Sequence, residues 1–437
     1  MSLEKHPHQT YVVQIPAPTM THQISERATM KSSFIPILLL LISCSNTRSE
    51  TNWTQWRGSG GDGLSDAANV PKRFSADNVI WKTEVPGAGQ SSPIFWENMV
   101  YVTSAINKGA SRIIIAINRT SGKIAWQTTV WTGEPEETHS MNNRASSTCA
   151  TDGRYVVAFF GKGGLHSLDA KTGEILWSRD LGAFEGPWGT GASPVIVDNL
   201  VIQNCDADNE SSLIALDLKT GKTVWQTSRE TIRGWSTPIV FQTSARKELI
   251  LNGHSKVVSY NIATGKVYWE CIASVGRGTP TLALTKDTVI SVPGRSGTMV
   301  AIRPGGSGDV SGKQEAWRVP RTGGRDLPSP LVVGNYLIVT RLRPGIISCY
   351  NNKTGELLWQ QRVEGAFSSS PIAINGIVYT VTEHGVTHVF KPGDSYQSIA
   401  KNSVEATLEE TFRASPAAFD GHLLLRSDKY VYCIGNK

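Results

Sequence analysis

The chain is short of charge, of paired cysteines and of long apolar runs, and each shortage closes off a class of function. Only 18% of its 437 residues are charged and the net charge is +6, against about 25% charged residues in an average domain. A nucleic-acid-binding fold carries a larger, clustered basic excess. The six cysteines, Cys44, Cys149, Cys205, Cys271, Cys349 and Cys433, stand far apart, so no spacing among them matches a zinc site. Neither Gly-x-Ser-x-Gly nor His-Glu-x-x-His occurs, which removes the common serine and zinc hydrolase signatures. Lys222-Thr223 after Gly221 imitates the end of a phosphate loop, but that loop needs a second glycine five residues earlier, where Leu216 stands. The apolar run Phe34 to Ile42 has nine residues and contains Pro36, whereas a helix needs about 20 to cross a bilayer. With 39% hydrophobic residues, 41 glycines and 21 prolines, the sequence is neither disordered nor collagen-like. What it has in plenty is tryptophan, thirteen residues, and their positions carry the main structural signal.

The run Phe34 to Ile42 reads as the apolar centre of a secretory signal, with Lys31 as its positive flank and Met30 as the start. Residues 1–29 are then an extension ahead of the true start, and 30–43 the signal. Leu41-Ile42-Ser43-Cys44 resembles the lipobox of bacterial lipoproteins, so Cys44 is the expected lipidation site, and several acyl chains on one cysteine anchor stably. Residues 44–78 follow as tether and N-terminal cap segment. The expected location is the cell envelope, lipid-anchored on the periplasmic side, and Ser45 after the cysteine favours the outer membrane.

From Val79 onward the sequence repeats itself every 40 to 55 residues, the kind of period that marks a repeat architecture. One marker is a turn leading into a tryptophan: Asn118-Arg-Thr-Ser-Gly122-Lys-Ile-Ala-Trp126, then Asp169 to Trp177, Asp217 to Trp225, Asn261 to Trp269 and Asn351 to Trp359. Asp or Asn opens such a turn, glycine supplies the positive φ, and a strand follows. Trp81 and Trp317 end two more units, the latter after a Gly-rich insertion at 305–312. The second marker, small residues before proline, begins the next inner strand: Ser91-Ser92-Pro93, Ser146-Ser147-Thr148, Ala192-Ser193-Pro194, Ser236-Thr237-Pro238, Gly278-Thr279-Pro280, Pro328-Ser329-Pro330, Ser369-Ser370-Pro371 and Ala414-Ser415-Pro416. Four antiparallel strands per unit and eight units predict an all-β, eight-bladed propeller over 79–437. The last unit stops at Lys437 without its Trp strand, while Val79 to Val85 is an orphan Trp strand, so the N-terminal strand is expected to join the last blade and close the ring.

The pattern Asp-x-x-Thr-Gly-Lys/Glu-x-x-Trp, with Ser-Pro in the next strand, resembles the pyrroloquinoline-quinone (PQQ)-like repeat. That repeat occurs in quinoprotein dehydrogenases and in outer-membrane assembly lipoproteins of the BamB type. Trp53-x-x-Trp56-Arg57-Gly58, Asp62-Gly63 and Asn204-Cys205-Asp206-x-Asp208 resemble planctomycete-type propellers of this family. The resemblance implies the fold and leaves the activity open. Quinoprotein dehydrogenases stack PQQ on a disulfide between adjacent cysteines and hold Ca²⁺ beside it with Glu, Asn and Asp; no two cysteines here are adjacent. No cofactor is therefore expected, PQQ and Ca²⁺ entering only if the chain is an alcohol or sugar dehydrogenase. Repeat alignment puts Cys349 and Cys433 in the small buried slot of Ala116 and Ser167, and Cys149 in the slot of Ile94 and Val195.

Two groups of side chains are candidates for a metal. His384 and His388 flank Gly385 on a hairpin, and Asp206 and Asp208 with Asn204 make an oxygen-rich loop. The links between blades and the second-to-third-strand loops emerge on one face, which carries His139, Asn143, Arg144, Trp188, Arg233, Trp235, Arg277, Arg295, Arg321, Arg325, Arg341, Arg343 and Arg413 and fewer acids, Asp206, Asp208, Asp326, Glu364, Glu383 and Glu410. Arginine beside tryptophan is the composition of a protein hot spot or an anion funnel. The expected function is a non-catalytic binding or scaffold module for an envelope protein or an anionic polymer, acting as a monomer within a larger complex. A carbohydrate or sulfated-polymer binder would use the same face.

Overall fold

The computed structural model describes residues 52–273, 278–295, 297–321 and 327–436, all within one unit, Ser49–Lys437. Eight sheets follow one another along it. The first blade runs Ile94–Trp96, Met99–Ile106, Ser111–Asn118 and Ile124–Thr132, each strand antiparallel to the next. The same order recurs through the seventh blade, which begins at Ile372–Ile374 and ends at Gln397–Asn402. The eighth takes three strands from the C-terminal end, Ala417–Phe419, His422–Arg426 and Tyr430–Gly435, and its outer strand, Val79–Glu84, from the other end of the chain. The fold is an eight-bladed propeller closed by its N-terminal strand, as the repeat requires. Two blades gain a parallel fifth strand: Gly308–Asp309, from the Gly-rich insertion, flanks the fourth, and Leu64–Ser65 lies beside the inner strand of the seventh.

A β-bulge of the same kind marks the outer strand of every blade. Trp126 stands opposite Ala116 and Ile124 opposite Ile117, leaving Ala125 unpaired; Ile80, Leu176, Val224, Tyr268, Ala316, Leu358 and Ile399 are skipped in the same way. One extra residue bends and twists the strand, and here the residue that follows it points into the blade interface. Seven of those following residues are tryptophan and the eighth, in the seventh blade, is Ala400. Each Trp faces a small residue of its own blade, Cys349 opposite Trp359 and Cys433 opposite Trp81 included. Its indole N–H reaches the turn of the next blade: Trp81 to the Arg119 carbonyl, Trp177 to Leu218, Trp225 to Ile262 and Trp317 to Asn352, at 2.8–2.9 Å. Trp269 departs from this because the insertion has replaced the fifth blade's turn. Its N–H goes instead to the buried Glu248 carboxylate at 2.7 Å.

The inner strands are joined by a second device. Backbone N–H of Ser92 donates to Thr148 Oγ1, that of Thr148 to Ser193 Oγ, and so on through Thr237, Thr281, Ser329, Ser370 and Ser415, whose N–H returns to Ser92 Oγ, all at 2.9–3.0 Å. Eight buried hydroxyls thus clasp the propeller around its axis. Two of the sequence markers need correction here. In the second blade Ala150, not Cys149, takes the slot of Ile94, since Ala150 faces Val157 as Ile94 faces Tyr101; Cys149 fills the proline slot. In the fifth blade Thr281-Leu282 stand where Thr279-Pro280 were expected, because Ala283 pairs with Ile290. Ser370→Ala leaves the buried Ser329 N–H without its partner and is expected to cost about 1–3 kcal/mol. Denaturant melting checks this, with Ser370→Thr, which keeps the hydroxyl, close to the parent; equal melting of all three proteins would show that the clasp adds nothing.

Residues 53–65 cross the inner strands beyond the hydroxyl ring. Trp53 exchanges backbone hydrogen bonds with Phe95, the Thr54 carbonyl accepts from Thr151 and the Gly63 carbonyl from Ala373. Phe95, Thr151 and Ala373 each lie three residues past a ring hydroxyl, in blades one, two and seven. The segment therefore spans the channel mouth on that side.

Candidate functional site

On the other side of the ring the channel opens into a cavity of about 240 Å³. Seven of the ring residues, all but Thr281, line it together with Trp56 from the crossing segment, and His139, Trp188, Trp235, Arg295 and Arg413 line it from inter-blade loops and a second-to-third-strand loop. The loops are built rather than loose. Buried Arg112 pairs with Glu136 at 2.6 Å, and Arg144 closes the same loop by donating Nε and Nη2 to the Glu136 carbonyl at 2.9 and 2.7 Å. Asn142 Nδ2 ties this loop to the next, reaching the carbonyls of Trp188 and Thr190 at 2.8 and 3.0 Å. His139 stacks on Trp188, ring centroids 4.6 Å apart and planes 25° apart. Trp235 Nε1 donates to the Gly189 carbonyl at 2.8 Å. Three flat side chains are thereby fixed while each keeps part of its surface open to the cavity.

Charge is uneven. No described carboxylate lines the cavity. Arg295 is exposed and makes no ion pair among the described residues, while Arg413 Nε lies 3.0 Å from Glu383 Oε1. Burial pushes the Glu383 carboxyl up, but Ser368, Arg413 and Arg343 outweigh it and hold the group below the usual carboxylate range. Glu383 therefore stays ionised behind Arg413 and orients it.

Of the residues expected on this face, the structure brings together His139, Trp188, Trp235, Arg295 and Arg413. Two expectations are corrected. Arg144 is spent on its own loop, and Arg321 ends the strand Glu315–Arg321, where it is only 5% exposed and reaches Tyr350 Oη at 3.3 Å; neither is an open loop cation. Asn143 shapes the turn, its Oδ1 accepting from Ala145 N at 2.7 Å, and Arg233 sits beside the cavity, 2.5 Å from Asp208. Arg277, Arg325 and Cys44 lie outside the described residues. The oxygen-rich loop is not a calcium cradle, because Asp206 receives both arms of Arg229 at 2.7 and 3.2 Å, Asp208 takes Arg233, and Asn204 is held by Ser236 and Asp206. His384 is exposed while His388 is buried edge-on to Phe367. Among the described residues no three His, Cys, Asp or Glu side chains gather as a metal site. Trp56, Asn142 and the hydroxyl ring had not been expected at a site, since nothing in their spacing tells which way they face.

A family model described as outer membrane protein assembly factor BamB matches residues 75–186, 128–306 and 295–398, together well over half of the chain. The chain belongs to the BamB family. It is similar to BamB of Moranella endobia, 28% identical over 142 residues, which are 32% of this chain and 34% of that protein. It is also similar to the tetrathionate hydrolase of Acidithiobacillus ferrooxidans, 29% identical over 178 residues, 38% of this chain and 33% of that protein. The chain thus matches about a third of the length of these two relatives. Among solved structures, BamB of Moraxella catarrhalis superposes with a TM-score of 0.59 at 17% identity, covering 82% of this chain and 98% of that one. A europium-containing methanol dehydrogenase gives 0.67 at 12% identity, covering 88% and 98%. At such identities the superpositions show the shared fold alone.

Within the BamB family fold, this cavity does not fit PQQ and its calcium. Its described polar lining is hydroxyl, amide, imidazole and guanidinium, with no carboxylate to hold a divalent cation. Cys149, Cys205, Cys271, Cys349 and Cys433 are buried free thiols in five different blades, so none pairs into a platform for a quinone. Burial pushes their thiols up, Cys149 to about 12 and Cys271 to about 11, which makes them inert core residues.

Proposed function

We propose that this protein is a non-catalytic binding module of the cell envelope that presents the funnel face to a protein or anionic partner. The observation that carries the reading is the funnel mouth, where His139, Trp188 and Trp235 are fixed but half open beside Arg295 and Arg413, with no described carboxylate among them. Rigid aromatic surface next to arginine is what binding hot spots are made of. The names of the BamB relatives support an outer-membrane, assembly-type role, and Cys44 would supply the lipid anchor on the periplasmic side. Dehydrogenase activity, the reading that the methanol dehydrogenase fold raises, has no cofactor platform in this cavity.

Affinity capture from detergent-solubilised envelope tests the proposal. Trp188→Ala combined with Arg295→Glu is expected to lower partner recovery at least about tenfold, the equivalent of 1.4 kcal/mol, with melting unchanged because both residues are on loops. Recovery by the parent should also fall as salt rises, since exposed charges are screened within about 8 Å at physiological ionic strength. Equal recovery by parent and double variant at low and physiological salt would overturn the reading.

A further inference from the structure

We propose that the cavity on the propeller axis is a binding site for a single acidic sugar residue, a uronate or a sulfated hexose. The hydroxyl ring has hydrogen-bonding capacity to spare. A hydroxyl offers one hydrogen and two lone pairs, and each ring oxygen spends one lone pair on the neighbouring backbone N–H. Thr281 Oγ1 also donates, to the Thr237 carbonyl at 3.3 Å; the other seven donate to no described acceptor. Those seven line the cavity. They give its wall a circle of groups that can still both donate and accept. An apolar guest would strand them, and a bare anion would use only their hydrogens. A ring that carries hydroxyls around its edge meets donor with acceptor and acceptor with donor all the way round, and sites built to hydrogen-bond a guest's hydroxyls select strongly for them.

The faces and the size agree with such a guest. A sugar ring has flat C–H faces, and indole rings offer broad apolar surface for them; Trp56 closes the cavity on the side of the crossing segment, while Trp188 and Trp235 flank it on the other. A volume of about 240 Å³ falls just under the roughly 300–1,000 Å³ of pockets that enclose drug-sized ligands, which leaves room for one ring and its waters. Charge sets the last feature. Arg295 and Arg413 stand at the mouth and no described carboxylate lines the wall, so a carboxylate or sulfate on the sugar finds a guanidinium fork.

Isothermal titration of the mature protein with D-glucuronate, D-glucose 6-sulfate, D-glucose and inorganic sulfate tests the proposal. One-to-one binding of the two acidic sugars is expected, at least about tenfold tighter than glucose or sulfate alone. Arg295→Gln should bring the two acidic sugars down to the level of glucose, and Ser329→Ala, less stable through the clasp but checked for cooperative melting above the titration temperature, should weaken all three sugars. Absence of sugar binding up to about 10 mM, sulfate binding as tightly as the acidic sugars, or acidic-sugar binding indifferent to both substitutions would each overturn it. Partner capture by the funnel rim is read separately, so either reading can fail while the other stands.

Discussion

A chain lacking Val79–Val85 is expected to aggregate and to melt far below the parent. That strand pairs with Tyr430–Ile434, and without it the last blade exposes an unpaired edge that templates pairing with other chains. More than backbone is lost. Trp81 Nε1 reaches the Arg119 carbonyl at 2.8 Å and Thr83 Oγ1 the Gly122 carbonyl at 2.5 Å, both in the first blade, so the strand joins blade eight to blade one. Lys82 Nζ lies 3.9 Å over the Tyr430 ring and 3.3 Å from Glu410 Oε1. Glu410 is buried and also accepts from Tyr432 Oη at 2.6 Å and Ser427 Oγ at 2.7 Å. Burial pushes its carboxyl up, but these donors, the Thr407 N–H and Lys82 outweigh it and hold the group low. A carboxyl lowered by folding contributes stability above its unfolded pKa and loses it as pH falls through the folded value, so the seam should loosen only below the usual carboxylate range. Size-exclusion chromatography and thermal melting of the deletion check the main effect; a soluble monomer with parental melting would refute closure by this strand.

Trp225→Ala should cost about 3–5 kcal/mol, whereas Val224→Ala, one residue earlier, should stay within about 0.5 kcal/mol. Trp225 is 8% exposed, donates to Ile262 at 2.8 Å and lies against Gly265, where a Cβ would come within 2.4 Å of the indole. That glycine has φ +69°, so turn geometry and close approach both require it. Val224 is the unpaired bulge residue and is 49% exposed. Denaturant unfolding of the two variants reads the contrast directly. Similar costs for both would mean that the bulge does not sort them into interface and surface.

The blade count and the closure were legible because turn, glycine and tryptophan recur at fixed spacing, and because Trp81 stood in surplus at one end while the last unit lacked its own. The bulge was not, since strict alternation along a strand would send residues 124 and 126 to the same face without showing that Ala125 drops out of the ladder. Register inside the second and fifth blades was misread because Cys149 and Leu282 replace the proline that marks the other six inner strands. The site was legible only as a face. His139, Trp188 and Trp235 were found because loops of that face carry them. Arg144 and Arg321 looked like their neighbours in sequence but are engaged by the Glu136 carbonyl and the Tyr350 hydroxyl. The eight hydroxyls were visible as small residues suited to a crowded axis; that they clasp one another is a property of the closed ring and of no single repeat.

Photo-crosslinking in intact cells tests the central claim, that the funnel face is the partner surface. A photoreactive side chain is placed in turn at Met141 and Ile232 on the funnel side, and at Leu176 and Leu357, which are 44% and 47% exposed on outer strands. A discrete envelope-protein adduct is expected from Met141 and Ile232 and none from the outer strands. Adducts from Leu176 and Leu357 with none from the funnel positions would contradict it.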